Sequence, residues 1–241
     1  MPQVERPPAA DPLTVLALGE VEVEGRMPWS SNHTFLVRLC HAEAEMAAIY
    51  KPGRGERPLW DFPDGVFVRE AAAWELSRFL GWGLVPETIV RHDAPLGPGS
   101  LQRFVAADFS QHYFTLLEDP AHHDSLRAIA TLDVLLNNAD RKSGHCLLGE
   151  DGSIWAIDHG LSFHTEPKLR TVIWDFAGEP VPARLIPGIE RLVDAGPPEG
   201  VADVLDDDEC EALLLRAETL LDRRILPAPH PDRRHYPWPL V

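Results

Sequence analysis

One stretch limits the possible folds more than any other. Leu126, Ile129, Ala130, Leu132, Leu135 and Leu136 recur at helical spacing behind Asp124, read as an N-cap, and the run closes at Asn137-Asn138. It passes into a polar turn, Asp140-Arg141-Lys142-Ser143-Gly144. Two short β-rich runs follow, residues 145–148 and 154–157, with Glu150-Asp151-Gly152 as the turn between them, and the second leads into Asp158-His159-Gly160. Helix, polar turn, hairpin and Asp-x-Gly in that order suit phosphoryl transfer. Such a site needs an acid to position or deprotonate the acceptor, a cation on the moving phosphate and oxygen ligands for a divalent metal. Asp140, Lys142 and Asp158 supply one of each. Either aspartate alone reads as an ordinary turn residue; their joint placement, with Lys142 between them, carries the signal.

Upstream, residues 13–24 alternate apolar and acidic and predict a strand that forms a hairpin with 34–39 across the loop 25–33. Residues 47–50 predict a third strand ending at Lys51-Pro52, 68–80 a helix stopped by Gly81, and 84–91 and 99–105 two more strands. Downstream, helices are predicted over 183–194 and 206–224, the second opening on four acidic residues at its dipole-favoured end. Residues 1–12 and 227–241 read as Pro-rich tails. The expected class is α+β, with a small β-rich lobe over 13–105 and a mostly helical lobe over 106–226.

Composition narrows the partners. With 22 basic against 38 acidic residues the formal charge is −16, which opposes nucleic acid and anionic membranes. No nucleic-acid partner and no stable membrane association are expected. A few local cations can still govern one nucleotide pocket, because salt screens fields beyond about 8 Å. No apolar run reaches the roughly 18 residues of a membrane span, the start lacks the layout of a secretory signal, and Cys40, Cys146 and Cys210 form no disulfide or metal-knuckle pattern; a cytoplasmic location is expected. Among the 22 basic residues only Lys51, Lys142 and Lys168 are lysines. A chain that uses Arg almost everywhere keeps Lys at few places, and the two are not interchangeable at phosphates.

The segment 133–163 resembles the protein-kinase superfamily, and more closely its atypical branch of phosphoinositide 3-/4-kinase-like and HipA-like enzymes, which includes a bacterial subgroup. Kinases carry His-Arg-Asp-x-x-x-x-Asn and then Asp-Phe-Gly. Here Asp140 stands in the place of the catalytic Asp, Lys142 where a Lys meets the γ-phosphate, and Asp158-His159-Gly160 where Asp-Phe-Gly belongs. The resemblance implies a bilobal protein-kinase-like fold that binds ATP with Mg²⁺ or Mn²⁺ between its lobes. It implies Lys51 on the α/β-phosphates, Glu70 as its helix partner, and backbone of the Gln102 to Val105 stretch, at Gln102 and Phe104, on adenine. It also implies Ser30, Ser31 and Asn32 as a phosphate loop in place of a glycine-rich lid, and Asp158 with His145 on metal. The resemblance spans about residues 14–176.

Two departures matter. His145 occupies the place of the metal-binding Asn, so it holds a metal, bonds the Asp140 loop or positions a phosphate through its N–H, and Gly-x-Gly-x-x-Gly is absent from the loop 25–33. The implied activity is transfer of the γ-phosphate to a small-molecule or protein hydroxyl; the charge argues against a lipid acceptor. A nucleotide-binding pseudokinase and an AMP-transferring enzyme are the alternatives. Lys51 and Glu70 read otherwise as a weak surface pair. Asp133, a carboxylate on an apolar helix, needs partners and either ties down the catalytic turn or faces water. His122-His123, His159 and His164 read as structural, and Lys168 is a candidate guide for the acceptor.

Overall fold

A computed structural model describes residues 11–27 and 33–240. Its N-terminal lobe is an antiparallel sheet of five strands in the order β1 (Glu20–Arg26), β2 (Phe35–His41), β3 (Ala44–Pro52), β5 (Gly99–Arg103), β4 (Thr88–Arg91). Period-two burial drives it. Val37 and Leu39 on β2, Ala48 and Tyr50 on β3 and Leu101 on β5 have no exposed surface, and register pairs Val37 with Ala48 and Tyr50 with Leu101. β1 is an edge strand whose glutamates face outward, with Glu22 paired to Arg38 at 2.5 Å.

The predicted hairpin is present as β1 and β2, but the first half of its first strand, residues 13–18, is a helix instead. Residues 13–18 belong to α1 (Pro12–Leu18), which buries Val15 and Leu16 against the sheet. Asp11 accepts from Thr14 N at 3.3 Å and Pro12 opens the first turn, so cap and proline overrule a short alternation that also fits a helical face. Arg91 donates to the carbonyls of Leu16 and Gly19 at 2.9 and 3.2 Å and closes the other end.

Helix α2 (Phe67–Phe79) follows a long loop. Glu56 caps it from a distance, accepting from the backbone N–H groups of Gly65, Val66 and Phe67 at 2.9, 3.1 and 2.7 Å. Its face Ala72, Ala73, Trp74, Leu76 enters the core of the larger lobe rather than that of the sheet. That lobe contains α3 (Tyr113–Leu116), α4 (His123–Leu136), the hairpin β6 (Cys146–Leu148) and β7 (Ile154–Ala156), α5 (Ile186–Ala195), α6 (Glu199–Ala202) and α7 (Asp207–Arg223). Leu126, Ile129, Leu132 and Leu136 of α4 share one core with Ile189 and Leu192 of α5 and Leu213 and Ala217 of α7.

Asp124 is not the N-cap of α4. Asp119 caps the preceding 3-10 turn, accepting from Ala121 N at 2.9 Å, and α4 continues from it with Asp124 in its first turn. Helix α7 opens on a reciprocal capping box between Asp206 and Glu209. Among the described residues no helix is long and apolar enough to cross a membrane. The architecture is the expected α+β, bilobal, kinase-like one, with α2 and β5 at the junction of the lobes.

Candidate active site

Lys51, near the end of β3, reaches out of the sheet. Its Nζ lies 2.5 Å from Glu70 Oε1 on α2 and 2.8 Å from Asp158 Oδ1, just past β7. Glu70 is buried, and its other oxygen accepts from His159 N at 2.9 Å, so one carboxylate fixes both the lysine and the Asp158-His159-Gly160 turn. The turn is tight. Asp158 has φ 62, in the left-handed region that Asp tolerates better than most residues, and a Cβ on Gly160 would lie 3.3 Å from Glu70 Oε1.

Charge is arranged to match. Burial works against the Lys51 ammonium, but Asp158 and Glu70 outweigh it and raise its pKa above the usual lysine value. Burial likewise works against the Asp158 carboxylate, yet Lys51, His145 and Lys142 hold it well below the usual carboxylate range. Glu70 is shifted upward by burial and by the charge of Asp158, against the pull of Lys51 and the His159 N–H.

The loop that carries Asp140 is pinned from beneath. Arg141 is wholly buried and grips Asp133, also wholly buried, with Nε 3.0 Å from Oδ2 and one terminal nitrogen 2.9 Å from Oδ1. The same guanidinium donates to Ile157 O at 2.6 Å and to His159 Nε2 at 2.7 Å, tying α4, the loop and the segment after β7 together. Asn138 donates to Asp133 at 3.0 Å and accepts from Asp140 N at 3.0 Å. With Arg141 turned inward, its neighbours stay partly open and pair with each other, Lys142 Nζ to Asp140 Oδ2 at 2.9 Å. Burial, aided by Asp158, raises the Asp140 pKa above the usual carboxylate value, and Lys142 opposes that shift.

His145 closes the circuit. Its Nδ1 accepts from Lys142 N at 3.3 Å and its Nε2 lies 3.2 Å from Asp158 Oδ2. Burial, with the charges of Arg141, Lys142 and Lys51, pushes its pKa down to about 4, so the ring is neutral near pH 7. With Nδ1 accepting, the hydrogen-bond pattern assigns the proton to Nε2, which faces the Asp158 carboxylate. Lys51, Glu70, His145 and Asp158 therefore meet directly, and Asp140 with Lys142 stands close enough to feel and shift their charge.

The remaining sequence candidates are Gln102, Phe104, Ser30, Ser31, Asn32 and Lys168. Gln102 is buried and donates to Thr88 Oγ1 at 2.8 Å within the sheet, and Phe104 N donates to Ala47 O at 3.0 Å. Ser30, Ser31 and Asn32 lie outside the described residues. Lys168 is held by Asp61 at 2.9 Å and lies 5.6 Å from the Phe62 ring, which fastens the loop before α2 to the larger lobe. Arg141 and Arg69 went unmarked in the sequence. Arg69 donates to Ser162 O and to Glu209 Oε1, each at 2.6 Å, and so anchors α2 one residue before Glu70. The need of Asp133 for a cationic partner was the one signal pointing to Arg141.

A bilobal fold with a strand lysine, a helix glutamate and an Asp-x-Gly turn converging at the lobe junction defines a kinase-like protein. The phosphatidylinositol 3- and 4-kinase family pattern matches residues 88–220, and the protein belongs to that family. It is 42% identical over 266 aligned positions to Protein Rv2133c of Mycobacterium tuberculosis, covering 95% of both chains. Its fold is similar to that of a Golgi casein kinase solved with Mn and ADP bound, at TM-score 0.56 and 13% identity over 92% of this chain and 79% of the other. It is also similar to a hydra Fam20 solved with sugar, at TM-score 0.52 and 12% identity, covering 89% of each chain.

Proposed function

We propose that the protein is an ATP-dependent phosphotransferase that moves the γ-phosphate to a hydroxyl of a small-molecule or protein acceptor. The observation that carries this reading is the Lys51 ammonium, held at 2.5 Å by Glu70 and at 2.8 Å by Asp158, where both lobes meet on one cation. Lys51 would place the α/β-phosphates and Glu70 would keep it extended toward them. Lys142 would offset charge on the γ-phosphate. Asp140, more basic than an ordinary aspartate, would orient the acceptor hydroxyl or take its proton.

The residues present fit a divalent ion that comes with the nucleotide. Among the described residues no group of three or more His, Cys, Asp or Glu could hold a metal ion unaided. Mg²⁺ is ordinarily held by one or two carboxylates plus substrate phosphates, and Asp158 is an ionised carboxylate with 45% of its side chain exposed. Such an ion, Mg²⁺ or Mn²⁺, would neutralise charge between the β- and γ-phosphates when bound. His145, donating Nε2–H to Asp158, would orient that carboxylate. The Mn and ADP of the Golgi casein kinase are in line with this choice of ligands.

His145, standing where kinases hold Asn, favours a second reading as a nucleotide-binding regulator without transfer. Incubation with ATP, metal ion and a cell extract, followed by mass spectrometry of products, separates the cases. A product heavier by one phosphate supports the proposal; a gain of AMP, or ATP binding with no modified product, overturns it.

A further inference from the structure

Residues 235–240 form a strap fastened at both ends through its own carbonyls. His235 O accepts from Thr171 N at 3.1 Å and from Trp174 Nε1 at 2.9 Å, and the His235 ring stands edge-on to Trp174 at 6.2 Å. At the other end Leu240 O accepts from Ser143 N at 2.9 Å. Between these ends Pro237 is buried while Trp238 is 78% exposed, and Tyr236 and Trp238 line an open concavity of about 660 Å³.

Both fastening points adjoin the proposed chemistry. Ser143 directly follows Lys142, is wholly buried, and opens the 3-10 turn Ser143–His145 that presents His145 to Asp158. Thr171 bridges to Arg141, and its Oγ1 lies 3.4 Å from Asp133 Oδ2. The strap thus grips the loop on one side of Asp140 and Lys142 and the Asp133–Arg141 lock on the other. Without it two buried N–H groups would lack partners, a condition native proteins avoid. Among the described residues no strap side chain bonds to Asp140, Lys142, His145 or Asp158, so the strap braces the loop and leaves its carboxylates open.

We infer that residues 235–240 are a positioning segment of the transfer site, fixing the loop 140–145 through Ser143 and Thr171 so that Asp140 and Lys142 keep one geometry. The inference rests on the transfer reading above and adds a part to it. Misplacement of about 1 Å can cost on the order of a hundredfold in rate, so a brace of this kind acts on turnover more than on binding.

Two full-length variants test it. Ser143→Pro deletes the donor to Leu240 at a helical first position preceded by an extended Lys142 (φ −90, ψ 166), where proline is tolerated. Trp174→Phe deletes the side-chain donor to His235 O, leaving the Thr171 N–H as its other donor, and keeps a ring. Hydrogen exchange over residues 139–146 should quicken in both, and ATP turnover should fall about ten- to a hundredfold. The KM for ATP should stay within about twofold and melting should change little, whereas simple destabilisation would move all three. Unchanged exchange in both variants overturns the brace whether or not the protein turns over ATP; faster exchange with unchanged turnover overturns its catalytic purpose. A wild-type chain that binds ATP without turning it over sinks the transfer reading and that purpose together, and exchange still reports whether the strap holds the loop.

Discussion

Lys51 Nζ and Asp158 Oδ1, 107 positions apart in the chain, lie 2.8 Å apart in the fold. Glu70, buried on α2, holds the same ammonium and the backbone N–H that follows Asp158. The three groups depend on one another. Lys51→Met should leave the Glu70 carboxylate buried beside Asp158 with no cation, costing about 1–3 kcal/mol. Thermal melting without nucleotide reads this directly, and a variant as stable as the wild type would show that Glu70 does not rely on Lys51.

The Asp133–Arg141 pair sits in the wholly buried base of the loop. Removing one member of such a pair typically costs about 3–5 kcal/mol, because the other is left charged in the core. Urea unfolding of Arg141→Met should show a loss of that size. The double variant Asp133→Leu, Arg141→Met should recover part of it, since neither charge remains. A double variant as unstable as the sum of the singles would contradict this coupling.

The contribution of His145 and His159 to stability should fall as pH falls below about 6.5. Burial lowers the pKa of His145 to about 4 and holds that of His159 well below the ordinary value. Between the ordinary histidine pKa and those lowered values the unfolded chain binds protons that the folded chain refuses, so acid favours unfolding. For His145 the loss accumulates from about pH 6.5 to about 4. Replacing His145 by Gln should flatten part of this slope in melting curves between pH 7 and 5; an unaltered slope would remove His145 as its source.

Turnover should carry its own pH signature. Asp140 is pushed above the usual carboxylate pKa by burial and Asp158, while Lys142 pulls it back. Lys142→Met should therefore move the acid limb of kcat to higher pH as well as lowering kcat. Asp140→Asn should reduce turnover about 10²- to 10⁴-fold, the range for a positioned base, with nucleotide still bound. An acid limb that stays in place in Lys142→Met would separate Asp140 from that limb.

Much of this arrangement was legible in the sequence because the chemistry needs charged residues at fixed intervals around one helix and one hairpin. Asp140, Lys142 and Asp158 carry that kind of signal, whereas Lys51, Glu70 and His145 stand out only through the family resemblance. The supporting links were not legible. Arg69 with Glu209 and Lys168 with Asp61 join residues far apart in the chain, and no local spacing marks such pairs. Residues 13–18 misled for a local reason. The alternation over 13–24 is carried by Val21 and Val23 against Glu20, Glu22 and Glu24, and the cap at Asp11-Pro12 that makes 13–18 helical lies just outside that window.

Melting of the wild type and of Asp158→Ala, each with ATP and Mg²⁺ or Mn²⁺, tests the nucleotide site most directly. A ligand at a hundred times its Kd adds about 2.7 kcal/mol of stability, so the wild type should melt several degrees higher with ATP and metal together. Asp158→Ala should lose that metal-dependent gain. No shift in the wild type with either metal, or an equal shift in Asp158→Ala, would contradict a metal-nucleotide site built on Lys51, Glu70 and Asp158.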